Sequence, residues 1–538
     1  MAIAWSRHLL LGDSPAGLRL ILVPTLVSLV IAALVIWLFP RARGSGVNQT
    51  KAALYIYDGY IPFRTAIGKF ITAALAIGCG HSLGPEDPSL QIGAAIASTV
   101  GRKLRLSRDK LRLIAPVGAA AGLSAAFNAP ISAVLFVIEE VIGRWSAGVL
   151  GAVVLAAISS VVVARQFLGA GPLFQIPPVE FMRPSELIAY SVLGVIGGLA
   201  SVVFARSIEV IRPFLKGLPR WTQYFQPSLA GLLIGLIAYM GAPQVMGAGY
   251  ETISAAMHDR YTWQVLGALA GLKLISTTLS FSSGTPGGMF APTLFIGAML
   301  GGAVGGFERA LYPHLTGSMA AYALVGMGVL FAGFLRAPFT SVFMVLEVSG
   351  DYSIIIPVIV ANTISYLISR LLQPAPIFDV LTRQDGLELP SMEEEREGVV
   401  LRVEDAMRPN SAPVLEDREL LSQALPKIAG AESSVVLVRL SPSGWSSTTP
   451  ELVRKANENG NTASTLKEVL TLEPIPHVFP DQPLEFALRR VYKWKLLPVV
   501  HRADFRELLG VISLGSILRQ YQIATEQDAI AEEEREAV

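Results

Sequence analysis

Three punctuated segments occur twice in this chain, in the same order. "GSGVNQTKAAL" from Gly44 returns as "GAGYETISAAM" from Gly247, "PSLQIGA" from Pro88 as "PTLFIGA" from Pro292, and "APISAVLFVIEE" from Ala129 as "APFTSVFMVLEV" from Ala337. The differences between those start positions are 203, 204 and 208. One such match would be weak; three in register make the chain a pair of homologous halves.

Each break lies between apolar runs. Of the 538 residues 52% are hydrophobic and only 16% charged, with a mean hydropathy of +0.51, too apolar for a water-soluble protein of this size. The run at 18–40 is long enough to cross about 30 Å of hydrocarbon and longer than a signal-peptide core, which predicts a retained transmembrane helix. Other runs, such as 70–77 and 229–239, are too short to cross alone and end in Gly or Pro. Two halves made of interrupted hydrophobic segments predict a polytopic α-helical membrane fold with an inverted repeat, its site where the broken helices meet. The halves run over about 17–165 and 185–372 within a membrane domain of 1–385. After Leu381 the chain turns polar, giving a linker at 386–400, a soluble α/β domain at 401–522 and an acidic, disordered tail at 523–538.

Non-helical backbone is tolerated at membrane depth only where protein buries it or a wet cavity borders it. Here each break also starts a helix. "GPEDPSLQIGAAIASTV" and "GGMFAPTLFIGAML" both carry Pro in the first turn before an apolar run. A helix start exposes free N–H groups and about half a positive charge, so starts converging from opposite sides form an anion site that needs no fixed cation. Glu86 lies in the first break. Its carboxylate can occupy such a site when charged and leave it when protonated, which makes a gate with a proton built in.

The repeat also separates two adjacent glutamates. Glu139 aligns with Glu347 and is therefore more simply structural, whereas Glu140 aligns with Val348. An ionisable group added to one half of a membrane domain is a functional candidate, the plainer alternative being the solvated end of a helix beside Arg144. His81 reads as polar loop surface, and Lys273 as a residue that snorkels or raises the local positive potential. A net charge of +1 without a basic tract argues against a nucleic-acid partner, and the single cysteine, Cys79, excludes an internal disulfide. No nucleophile–base pair, cofactor signature or metal-ligand cluster stands out, so neither an enzyme nor a cofactor is expected.

These segments resemble the CLC chloride channels and proton-coupled chloride transporters over roughly residues 17–520. "GSGVN" is similar to the family's GSGIP loop, "GPEDPSLQIG" to GREGPxVQIG, "GGMFAP" to GIFAP, and "AAFNAPISAVLFVIEE" to its most recognisable stretch. The resemblance implies a chloride site formed by the Ser45 hydroxyl and the backbone N–H groups of Met289 and Phe290. Phe378 falls on the family's pore tyrosine, without the hydroxyl. Glu86 falls on the gating glutamate and Glu140 on the inner proton glutamate. Retained Ser45 favours chloride as substrate. Pro85 and Asp87 replace an arginine and a glycine beside the gate, and Asn48 replaces a proline. Asp87 adds a second carboxylate whose charge favours the protonated form of its neighbour, unless it caps the helix that starts there.

The soluble part resembles a degenerate CBS pair. "VEDAMRPNSAPVLEDRELLSQAL" is similar to the opening of one repeat and "LPVVHRADFRELLGVISLGSILRQY" to the close of a second, with an irregular stretch at 441–464. The aspartate that contacts ribose in the family is Ser516 here, following Ser513, which favours a structural or interaction role over nucleotide sensing. The resulting expectation is proton-coupled chloride antiport by a homodimer in the inner or plasma membrane, with lipid around it and the CBS pair in the cytoplasm. The alternatives are a passive chloride channel and, from another class, a membrane-embedded sensor acting through its CBS tail.

Overall fold

The computed structural model describes residues 1–12, 17–143, 147–169, 186–312 and 317–387, most of 401–521, and a few isolated positions besides. The linker beyond 389, Arg144 and the acidic tail lie outside the described residues. The chain divides into two compact units, Met1–Glu397 and Gly398–Val538.

After a short α1 (Ala2–Leu10), the first unit runs through one series of seven helices twice. The first series is α2 (Arg19–Ala33), α3 (Gly46–Tyr55), α4 (Phe63–Gly78), α5 (Glu86–Lys103), α6 (Arg108–Phe127), α7 (Pro130–Phe136) and α8 (Ala147–Leu168). A long α9 (Glu186–Gly217) precedes the second: α10 (Gln226–Tyr239), α11 (Tyr250–Met257), α12 (Trp263–Ser282), α13 (Phe290–Leu311), α14 (Met319–Leu335), α15 (Pro338–Ser349) and α16 (Ile355–Leu372). A final α17 (Ile377–Gln384) follows. Seven of the described helices are long and apolar enough to cross a membrane, among them Arg19–Leu38, while Gln226–Tyr239 and Pro338–Ser349 are shorter, as the interrupted runs predict.

The halves meet at their breaks. Gly84 N–H donates to Gly288 O and Gly288 N–H to Gly84 O, each at 2.8 Å, in an antiparallel bridge. Reciprocal bonds between equivalent glycines are what an inverted repeat produces at its own axis. Helix packing repeats as well. A Cβ on Gly93 would collide with the Gly118 carbonyl, and one on Gly297 with the Gly326 carbonyl, so α5 crosses α6 and α13 crosses α14 with backbones in contact. Backbone cannot step aside as a flexible side chain can. Gly326→Ala is therefore expected to destabilise the unit by about 1–3 kcal/mol, read as a lower thermal midpoint in detergent.

The third pair of repeats is tied by carboxylates. Glu139 accepts from Thr340 N–H (2.8 Å), Thr340 Oγ1 (2.5 Å) and Phe339 N–H (3.2 Å), at the start of α15. Glu347 accepts from Ile131 N–H (2.9 Å), Ser132 N–H (2.7 Å) and Ser132 Oγ (2.5 Å), at the start of α7. Each half thus supplies the anion that satisfies the free N–H groups of a helix in the other. The structural role expected of Glu139 is what the fold gives it. Glu347→Ala strands two N–H groups and is expected to cost about 2–4 kcal/mol, again read by thermal unfolding.

In the second unit, β1 (Val414–Glu416) pairs parallel with β2 (Val436–Arg439), followed antiparallel by β3 (Trp445–Thr448) and β4 (Pro474–Ile475). A separate pair, β5 (Leu496–Val500) and β6 (Leu508–Ser513), is antiparallel and leads into a helix at 514–521. Part of the stretch read as irregular is ordinary structure: β3, then a helix at Pro450–Glu458. Trp445 anchors β3, buried with its indole N–H donating to Phe505 O at 2.8 Å.

Candidate functional site

The site grows from two helix starts per half. Ser45 is the N-cap residue of α3, extended in backbone, and its side chain does not cap its own helix. The hydroxyl instead faces Asp87 Oδ1 at 3.5 Å, and Val47 N–H donates to the same oxygen at 2.9 Å. Asp87, a candidate cap for its own helix α5, therefore caps α3. Just upstream, buried Lys69 donates to Ala42 O (3.1 Å) and Gly44 O (2.7 Å). Its repeat counterpart Lys273 donates to Val245 O (2.9 Å) and Gly247 O (2.6 Å). Lys273 is fully buried, so it does not snorkel; both lysines hold the carbonyls of the loops that lead into α3 and α11.

Glu86 opens α5 and is buried. Oε1 accepts a hydrogen bond from the Tyr250 hydroxyl, the Ala291 N–H in the first turn of α13 acts on the same carboxylate, and Oε2 has no hydrogen-bond partner among the described residues. Tyr250 is the first residue of α11 and aligns with Val47 in the repeat. The sequence reading missed it, although aligning "GSGVN" with "GAGYE" places it one turn from the site. Met289 and Phe290 start α13 and are buried. The Phe290 ring meets Phe136 at 4.8 Å, Phe136 meets Phe378 at 6.2 Å, and Asn48 Nδ2 donates to Phe378 O at 3.1 Å. Asn48, standing where the family has proline, thus ties α3 to α17.

Glu140 lies in a π-helical segment, Val137–Ile142, that follows α7. The wider turn sends Glu139 to α15 and Glu140 to α3, where Glu140 Oε1 takes a hydrogen bond from Lys51 Nζ at 2.7 Å. Both groups are buried, which removes the solvated-end alternative. Lys51 also lies 3.6 Å from Asp379 Oδ1 and 5.9 Å from the centre of the Phe378 ring. Lys51 was not foreseen as a site residue. Likewise His81 is not loop surface: it is buried, with Nε2 2.7 Å from Ser28 Oγ and Nδ1 3.2 Å from Ser280 Oγ.

Ser45 opens on a cavity of about 370 Å³ lined by Arg41, Arg43, Arg212 and Lys216, with Asp385 among them. Asp385 pairs with Arg212 (2.7 Å) and Lys216 (2.6 Å). Four cations against one carboxylate in a low-dielectric funnel raise the local anion concentration. In the second unit Ser513 and Ser516 exchange hydrogen bonds, Ser513 N–H to Ser516 Oγ (3.1 Å) and Ser516 N–H to Ser513 Oγ (3.2 Å), so Ser513 caps the helix at 514–521 and Ser516 completes the capping box.

The model of the voltage-gated chloride channel family matches residues 27–370, and that of the CBS domain residues 466–522. The chain is 32% identical over 384 residues to the H(+)/Cl(−) exchange transporter ClcA of Vibrio campbellii, covering 70% of this chain and 82% of that one. It is 31% identical over 352 residues to a ClcB-like protein of Ralstonia nicotianae, covering 64% and 82%. Among solved structures, a slow cyanobacterial Cl−/H+ antiporter superposes with a TM-score of 0.65 at 24% identity, over 71% of this chain and 91% of that one. A eukaryotic CLC transporter superposes with a TM-score of 0.61 at 20% identity, over 95% and 93%. At these identities the structural likenesses concern the fold.

Proposed function

The chain belongs to the voltage-gated chloride channel family, and from that premise we propose that it exchanges chloride for protons across a membrane. The observation that carries this reading is Glu86, a buried carboxylate at converging helix starts whose Oε1 is bonded to Tyr250 and whose Oε2 has no side-chain partner among the described residues. A group so placed competes with an anion when charged and makes room for it when protonated. Chloride is drawn through the basic funnel to Ser45, then to the N–H groups of Met289 and Phe290, with Phe378 as an aromatic wall. Glu140 takes the proton on the inner side. The protein is integral to the inner or plasma membrane and surrounded by lipid. It acts as a homodimer with one pathway per protomer, with its CBS unit cytoplasmic and structural in role and no nucleotide required.

The test is purified protein in liposomes with a chloride gradient, chloride efflux and proton uptake recorded together. Proton movement against its own gradient is the expected result. Chloride efflux without proton movement overturns the exchange reading in favour of a passive channel, the second reading, which the fixed cation Lys51 beside Glu140 favours. No efflux at all, with Glu86→Ala altering only a signalling output, would mark a sensor acting through its CBS tail. Arg41→Gln is expected to slow chloride entry at low ionic strength and to have little effect at high salt, because funnel charge acts by long-range attraction that salt screens.

A further inference from the structure

The start of α3 already holds an anion, and it belongs to the chain. Asp87 is buried, and its Oδ1 takes the Val47 N–H at 2.9 Å and lies 3.5 Å from the Ser45 hydroxyl. The hydroxyl is the one the proposed chloride site needs, and the start of α3 places a further N–H, that of Val47, beside it. The repeat supplies an internal control for what Asp87 is there to do. Its counterpart is Ala291, since Pro88 aligns with Pro292. In that half Lys273 holds Val245 O and Gly247 O just as Lys69 holds Ala42 O and Gly44 O, with no aspartate at the matching place. The loop and its lysine therefore fold without a carboxylate, and Asp87 is an addition to one half. The chain packs tightly around it. A Cβ on Gly288 would lie 2.6 Å from Asp87 Cβ, and one on Gly46 would lie 3.0 Å from Asp87 Oδ1, so the glycines let α3 and the start of α13 approach this residue closely.

We propose that Asp87 is a tethered competitor of chloride at Ser45, a second carboxylate gate in series with Glu86. The proposal rests on the reading of Ser45 as a chloride ligand. Chloride gains the Val47 N–H and the Ser45 hydroxyl only when the Asp87 side chain swings away, so the self-occupied state lowers the apparent affinity by its own population. If that state holds about 90% of the molecules, removing the carboxylate tightens apparent chloride binding about tenfold. Lys69 stays with its two carbonyls throughout and keeps the region attractive to whichever anion is present.

The experiment is chloride titration of the purified full-length protein by calorimetry, for wild type, Asp87→Ala, Asp87→Asn, Ser45→Ala and the Asp87→Ala/Ser45→Ala pair. Asp87→Ala is expected to bind chloride about tenfold tighter than wild type. Asp87→Asn keeps an acceptor for Val47 N–H and the shape of the side chain, and serves where the alanine variant fails to fold; it is expected to tighten binding as well, because a neutral amide holds a helix start less strongly than a carboxylate. Unchanged affinity in a folded Asp87 variant, with Ser45→Ala weakening binding, overturns the competitor and leaves the Ser45 site standing. If Ser45→Ala changes binding neither alone nor in the pair, the underlying chloride site fails, and the competitor with it.

Discussion

Glu140→Gln, reconstituted in liposomes under a chloride gradient, is expected to pass chloride while proton uptake falls below about a hundredth of wild type, the low end of what one positioned proton-transfer group contributes. Three observations converge on it. Glu140 has no acidic counterpart in the second half, where Val348 stands. Its neighbour Glu139 is fully engaged in capping α15, so the two adjacent carboxylates do different work. The π-helical turn aims Glu140 at α3 of its own half, where it meets Lys51, while Glu139 turns to α15 of the other half. Glutamine keeps the size and an oxygen for Lys51 but cannot carry a proton, so a merely structural role would leave coupling intact. Proton uptake equal to wild type would remove Glu140 from the proton path and leave Glu86 as the sole proton carrier among the proposed residues.

What was legible from the amino-acid order follows a physical pattern. The repeat, the broken helices and the Glu139–Glu347 symmetry are written locally, in short motifs whose spacing survives in the chain, and the helix starts at Glu86 and Phe290 follow from Gly before and Pro within the first turn. The residues that were missed all act across long sequence separations. Lys51 reaches Glu140 and Tyr250 reaches Glu86, and the helix that Asp87 caps, expected to be its own, is α3; each is decided by how separate helices pack. Nothing near Lys51 in "GVNQTKAAL" hints at a carboxylate partner, and a lone lysine in an apolar helix reads as a residue bound for the surface. The basic funnel was hidden for the same reason, since Arg41 and Arg43 come from the loop before α3 while Arg212 and Lys216 come from α9. Tyr250 is the exception. Its position was written in the repeat, and only its chemistry had to be noticed: a hydroxyl where the other half has valine.

Lys51→Met is expected to be the most destabilising single substitution at this site. Lys51 and Glu140 are both buried and 2.7 Å apart, and Asp379 lies 3.6 Å from the same ammonium. A buried pair adds little stability over apolar residues of equal size, because each charge has lost its water. Removing one member is different: the remaining carboxylate keeps its desolvation cost and loses the attraction that offset it, a loss of about 3–5 kcal/mol. Glu140→Gln alone leaves Lys51 with Asp379 and an amide oxygen, and is expected to cost less. The pair Lys51→Met/Glu140→Gln is expected to recover part of the loss, because the stranded charge is gone, giving a coupling energy of about 1–3 kcal/mol in a double-mutant cycle of thermal unfolding in detergent. Additive losses would mean that Lys51 answers to Asp379 and not to Glu140. In that case the 2.7 Å contact would be a consequence of packing, and the cation could not be what holds the inner glutamate in place.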